Sequence, residues 1–245
     1  MTTIHQHKTF FISDLHLDET TPSITHTFLQ FLQDCDETVD ALYILGDFFE
    51  SWIGDDDDTP FHRKIILALK AATQKKMPIY FMHGNRDFLI GKNFLRETGC
   101  QLLADEEIIN IYGTPVLLMH GDTLCTRDTA YINARKWMRH RLVQTLFLRL
   151  PLAWRKKIAN NMRQKSMQHT QSTPTDMMDV TQIEVERVMQ KHNVAFLIHG
   201  HTHRPRFHDF LLQGQPASRI VLAAWHDGGS ALKWNFSGKK ELITL

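Results

Sequence analysis

Five short fragments of this 245-residue chain carry the residue types that metal chemistry needs. Asp14-Leu15-His16, Gly46-Asp47, Gly84-Asn85, His120-Gly121 and Gly200-His201-Thr202-His203 together offer two aspartates, one asparagine and four histidines. Each fragment closes an apolar run, such as Phe10-Phe11-Ile12 before Asp14, of the kind that forms a buried strand. In an extended chain, side chains two positions apart point the same way, so Asp14 and His16 read as half of a divalent-cation site. Ligands of an open α/β sheet collect beyond the carboxyl ends of its strands, so fragments far apart in sequence converge there. Mixed oxygen and nitrogen donors suit Mn²⁺, Fe²⁺ or Zn²⁺ rather than Ca²⁺, and the absence of cysteine among them argues against a structural zinc site. Seven donors are too many for one ion and about right for two ions sharing a carboxylate, with Asp47 the natural bridge. Paired ions ~3.5–4 Å apart clamp the attacking and leaving oxygens of an in-line phosphoryl displacement.

The elements that position these fragments follow from hydrophobic period. Residues 23–32 and 61–73 have helical spacing, and residues 41–45 and 78–82 are short apolar strands between or after them. Alternation of strand and helix through the first hundred residues predicts a parallel α/β core. Strands are expected at 108–112 and 115–119, then a helix at 179–191 and a strand at 194–198. The tail reads as short strands at 207–211, 220–224, 232–236 and 242–243. His83 and His199 each precede a motif glycine, and alternation aims them away from the donors, so they read as structural. Asp122 is expected behind His120 rather than on an ion. Asp55 to Asp58 reads as a solvated acidic loop.

Residues 127–170 break the rhythm. Eleven Lys and Arg stand there against one acid, Asp128, while the whole chain has a formal net charge of +1. Trp137, Leu142, Leu146, Phe147, Leu148 and Trp154 are interleaved, and Pro151 divides two helical segments, so a helical hairpin inserted into one domain is expected. A plain core pair would not need that charge, and phosphate tracking on nucleic acid would not need so much Leu, Phe and Trp. An acyl-chain pocket facing an anionic leaflet uses both features.

The other global features are ordinary. Three cysteines match no zinc spacing and read as reduced thiols of a cytoplasmic protein. No signal-peptide core is evident, and no apolar stretch approaches the ~20 residues that span a bilayer. Fifteen histidines raise the expectation of a metal site.

The ordered set D-x-H, G-D, G-N-x-D, H-G and G-H-x-H, from Asp14 to His203, resembles the calcineurin-like metallophosphoesterases. That resemblance implies an α/β, four-layer fold of two stacked mixed sheets flanked by helices. It also implies that Asp14, His16, Asp47 and His203 hold one metal, and Asp47, Asn85, His120 and His201 the other. Most of that family carries a histidine after the asparagine to protonate the leaving group, where this chain has Arg86. Arginine keeps its proton in a protein. It serves instead as a bidentate phosphate ligand that offsets developing charge, which suits a leaving group that needs no proton.

The strings at 44–50, 52–57, 83–89, 119–125 and 197–205 resemble one branch, the UDP-2,3-diacylglucosamine hydrolases of lipid A synthesis, insert included. The likeness implies two Mn²⁺ ions, water attack on the α-phosphate, and release of UMP and 2,3-diacylglucosamine 1-phosphate at the inner face of the inner membrane. It places substrate contacts at Asn85, Arg86, Asp128, Ser166, Thr170, Thr173 and His201, with Arg86 catalytic and no nucleic-acid partner. The alternatives are a phosphodiesterase or nuclease on the same core, which Arg86 disfavours, and a non-catalytic scaffold, which would not need all seven donors.

Overall fold

Phe10 and Ile12 turn to one side of the first strand and Phe11 to the other, and both sides are buried. This strand, β1 (Lys8–Ile12), therefore lies inside the molecule, as its unbroken apolar run requires. The structure, a computed structural model, describes residues 7–172, 179–226 and 228–245, with backbone alone for 167–172.

Helix α1 (Pro22–Asp34) carries the chain from β1 to β2 (Val39–Leu45), and α2 (Pro60–Gln74) carries it to β3 (Ile79–Met82). Both helices begin on proline, which fits the first turn because its missing N–H has no partner there. Thr59 caps α2 by accepting from His62 N. The first sheet has the order β11-β10-β1-β2-β3-β4, with β1 to β4 parallel, β4 being Gln101–Leu102 and α3 (Lys92–Thr98) leading into it. Its antiparallel edge comes from the tail, β10 (Ser230–Asn235) and β11 (Lys240–Thr244). The second sheet has the order β5-β6-β7-β9-β8, built from β5 (Glu107–Ile111), β6 (Thr114–Leu118), β7 (Phe196–His199), β8 (Arg206–Leu212) and β9 (Gln215–Val221).

Three apolar clusters mark the layers. Phe11, Tyr43, Leu45 and Met82 of the first sheet meet Val116, Leu118, Ile198 and Ile220 of the second. The outer face of the first sheet packs on Phe28, Phe31, Ile65, Leu69 and Phe94 of the first three helices. The outer face of the second sheet packs on Val185, Val188 and Met189 of α7 (Gln182–His192). Helix, sheet, sheet and helix thus form the four layers expected of the family.

The region 127–170 departs from the expected hairpin. It holds three helices: α4 (Thr129–Met138), α5 (Arg141–Leu148) and α6 (Leu152–Ser172). The extra break lies at Arg139 and His140, where His140 leaves the helical conformation and its Nδ1 accepts from Leu142 N to start α5. Element α3 was not anticipated, since seven residues between Gly91 and Gly99 give too short a period to read. No helix among the described residues is long and apolar enough to cross a membrane.

Candidate metal centre

The loops after β1, β2, β3, β6 and β7 meet at one edge of the sandwich. Asp14, His16 and His203 present ligand atoms within 4.8 Å of one another, and Asp47, His120 and His201 do the same. Asp47 stands between the groups, with Oδ2 3.9 Å from His16 Nε2 and Oδ1 3.8 Å from His120 Nε2. Asn85 Oδ1 lies 3.0 Å from both His120 Nε2 and His201 Nδ1. All seven residues singled out in the sequence are therefore brought together.

Extended-strand alternation is not what aligns them. Asp14, His16, Asp47, His201 and His203 all have positive φ, between 49° and 67°, and Asp14 and His16 lie past the end of β1. Left-handed backbone is uncommon outside glycine and persists where surrounding bonds over-determine it. Those bonds are present: Asp14 N donates to Gly46 O, His16 N to Asp47 O, and His201 N to Asp14 Oδ2. Asp47 Oδ1 accepts from Arg86 N at 2.8 Å. Gly84 and Gly200 are required by close approach, because a Cβ would collide with Asp47 on one and with Ser13 and Asp14 on the other.

Several groups outside the donor set hold it in place. Asp87 is fully buried and accepts from Phe48 N and Gly84 N, tying the second loop to the third. Burial and the charge of Asp47 push its carboxyl up to about 6. His120 Nδ1–H donates to Leu45 O at 2.8 Å, which turns Nε2 toward Asp47 and Asn85, the position from which the neutral ring would offer its lone pair to an ion. Burial alone would lower the His120 pKa, but Asp47, Asp14 and Asp122 raise it to about 9. Burial likewise opposes ionisation of Asp14, yet the His203 contact and the His120 and His16 rings hold its carboxyl well below the usual range. Such mutual charge is what a site built for cations produces, and the nitrogen and oxygen donors fit divalent ions of the Mn²⁺, Fe²⁺ or Zn²⁺ type.

Asp122 lies behind His120, accepting from Tyr131 Oη and Arg135 Nε at 2.6 Å each. His83 Nε2–H donates to Ile90 O, and His199 Nδ1–H to Gly200 O, so both are occupied structurally. The expectation of a solvated loop at Asp55 to Asp58 holds for the exposed Asp56 and Asp58 but not for the half-buried Asp55 and the buried Asp57, and all four are engaged. Asp55 accepts from Gly91 N, Asn93 N and Phe94 N at the start of α3, Asp56 pairs with the buried Arg155, Asp57 with Lys156 and Asp58 with Arg63. The acidic run looked solvated because its partners lie up to a hundred residues away.

Two cavities adjoin the donors. A polar one of about 380 Å³ is lined by the donor loops with Arg86, Asp128, Tyr131 and Ser166. A mostly apolar one of about 400 Å³ lies between Trp52, Ile53, Phe88, Met138, Phe147 and Met162. They share Asn85, Arg86, Tyr131 and Ser166. Asp128 lines the polar cavity while capping α4 through Tyr131 N. Thr173 and the side chain of Thr170 lie outside the described residues. Sequence reasoning missed Glu50, Tyr131, Arg163 and His226, which border the same space. His226 Nε2 is 3.4 Å from His203 Nδ1, a neighbour that no local motif announces.

Two clusters able to hold ions, with Asp47 between them at the strand ends of a double-sheet sandwich, are the arrangement a metal-dependent phosphoesterase needs. The sequence profile of the calcineurin-like phosphoesterases matches residues 7–205. A UDP-2,3-diacylglucosamine hydrolase of Coxiella burnetii (strain RSA 331 / Henzerling II) is 53% identical over 234 residues, covering 96% of each chain. Enzymes of the same name from Pseudomonas aeruginosa (strain UCBPP-PA14) and Escherichia coli O9:H4 are each 52% identical, covering 94% and 92% of this chain and 96% and 94% of theirs. The chain belongs to the calcineurin-like phosphoesterases and, within them, to the UDP-2,3-diacylglucosamine hydrolase family.

Proposed function

We propose that the chain hydrolyses the diphosphate of UDP-2,3-diacylglucosamine, giving UMP and 2,3-diacylglucosamine 1-phosphate, with two Mn²⁺ ions. The observation that carries this reading is the junction of a polar cavity beside the donors with an apolar cavity under the helices, shared by Asn85, Arg86, Tyr131 and Ser166. A substrate with a charged diphosphate next to acyl chains needs that junction.

Asp14, His16, Asp47 and His203 would hold one ion, and Asp47, Asn85, His120 and His201 the other. Bound there, paired ions lower the pKa of water and offset charge on phosphoryl oxygens. The chain's own part is to orient and to exclude. Asp47, fixed by Arg86 N, keeps the two donor groups at one spacing. Arg86 would face the transferred phosphate and offset its charge, with the neutral His201 ring beside it, as the water oxygen bonds to the α-phosphorus, its proton passing to solvent, and the bridging oxygen departs with the sugar phosphate. The leaving sugar phosphate is a monoester whose second pKa is about 6, so it departs near neutrality without a proton donor, consistent with Arg86 at a position where a proton-donating histidine would otherwise be expected.

In this proposal the chain is one domain and segment 127–170 is its lid. Asn85, Arg86, Asp128, Ser166, Thr170, Thr173 and His201 would contact substrate, and each buried methylene contributes ~0.8 kcal/mol. Trp137, Leu142, Leu146 and Trp154 are 63 to 68% exposed among basic residues, which supports peripheral docking on the inner leaflet of the inner membrane. The experiment is UMP release from the lipid nucleotide with Mn²⁺ and with chelator, in wild type and His120→Ala. Metal-dependent release lost in the variant supports the reading. Cleavage of generic phosphodiesters without UMP release would discard the lipid substrate.

A further inference from the structure

Glu50 sits three residues past Asp47, outside the seven donors, yet three charged groups from three segments converge on it. Its Oε2 lies 3.0 Å from His16 Nδ1. Its Oε1 lies 3.0 Å from Arg163 Nε of α6 and 3.7 Å from Arg86 Nη1. The His16 contact is an ion-pair distance rather than an aligned hydrogen bond, since the ring N–H points off the carboxylate. The Glu50 side chain is largely buried, and its backbone N donates to Leu17 O, which locks it to the residue after His16. His16 Nε2, on the far side of the ring, faces Asp47.

We infer that Glu50 is a positioning residue that joins the metal centre to the substrate cavity. One carboxylate oxygen lies against His16 Nδ1 and by its charge favours the ring orientation in which Nε2 faces the ion, and the other holds Arg86 and Arg163 side by side at the cavity junction. A carboxylate behind a ligating imidazole sets ring orientation and basicity, and its loss costs about 10–100-fold in metal affinity. Two guanidinium groups against one carboxylate leave an excess positive charge, arranged as planar forks that match a diphosphate. The contact from α6 therefore places the helical segment and the catalytic arginine on the same anchor. This inference rests on the metal centre proposed above.

The test uses the full chain, stripped with chelator and titrated with Mn²⁺ while free Mn²⁺ is followed by its paramagnetic resonance signal. Wild type is expected to bind two ions. Glu50→Ala is expected to bind one of them about 10–100-fold more weakly. Glu50→Gln, whose amide oxygen can still face His16 Nδ1, is expected to recover metal affinity relative to Glu50→Ala while raising KM for the lipid nucleotide. Arg163→Ala is expected to raise KM with Mn²⁺ affinity at the wild-type value. A folded Glu50→Ala that titrates like wild type overturns the inference. If Glu50→Ala does not fold, Glu50→Gln with wild-type KM overturns it instead. Wild type that takes up no Mn²⁺ overturns the metal centre itself, a separate and recognisable failure.

Discussion

The donor loops and the helical segment above them are built on opposite physical terms. Around the donors, backbone and side chain are both committed: five donor residues sit in left-handed conformations, and Asp14, Asp47, Asp87 and His120 are buried in bonds to neighbouring loops. In α4 and α5 no residue is fully buried, and while Met138 and Phe147 line the apolar cavity, Trp137, Leu142 and Leu146 face outward. What fastens these helices is a handful of charged anchors. Arg135 reaches Asp122, Arg139 reaches Gly84 O and stacks on Phe88, Arg155 reaches Asp56 and Ile53 O, and Arg163 reaches Glu50. The lesson is a division of labour. The donors are placed in a region that cannot relax, while the helical segment above them keeps uncovered apolar surface and is fastened by arginines that end at the donor loops.

The comparison can be broken most sharply at its rigid end. Asp47→Ala should reduce UMP release by at least about 10³-fold, the scale of losing a single electrostatic group at a transition state. Far-ultraviolet circular dichroism should stay native; an active variant would sink the shared-carboxylate role. Next in size, Gly84→Ala forces a Cβ into Asp47 and should cost about 1–3 kcal/mol in urea unfolding. An unchanged midpoint there would mean that the loops are softer than described.

A third prediction concerns protons. In the metal-free chain the folded pKa of His120 is raised from 6.5 to about 9, so its protonation stabilises the fold below 6.5, and that contribution is lost as pH rises through 9. An ion requires the neutral ring, so metal binding has the opposite sign. Mn²⁺ affinity should rise by up to about tenfold per pH unit toward pH 9, and His120→Asn should flatten the slope in calorimetric titrations at several pH values.

The smallest expected stability effect belongs to the other region. Trp137→Ala should change unfolding free energy by no more than about 0.5 kcal/mol, as surface substitutions do. The same variant should float less with anionic vesicles. A large loss of stability would show that Trp137 is packed after all, and undiminished flotation would remove it from the membrane-facing surface.

The sequence by itself singled out the seven candidate donors, because each lies just past an apolar run whose end is a local property of the chain. It also pointed to an α/β core, since strand and helix periods alternate legibly from Lys8 to Met82, and it marked 127–170 as unlike the rest by charge and aromatic content. Tertiary structure alone decided how the donors are aimed. Asp14 and His16 converge through left-handed turns stapled by distant backbone groups, where strand alternation would have predicted a flat extended pair. It alone decided that Asp55 to Asp58 are separately engaged anchors, that the helical segment breaks at His140 as well as at Pro151, and that Glu50 meets Arg163. The physical reason is range. Period and capping act over a few residues and are written locally, whereas an ion pair across more than a hundred residues forms only after the chain has folded to bring its ends together.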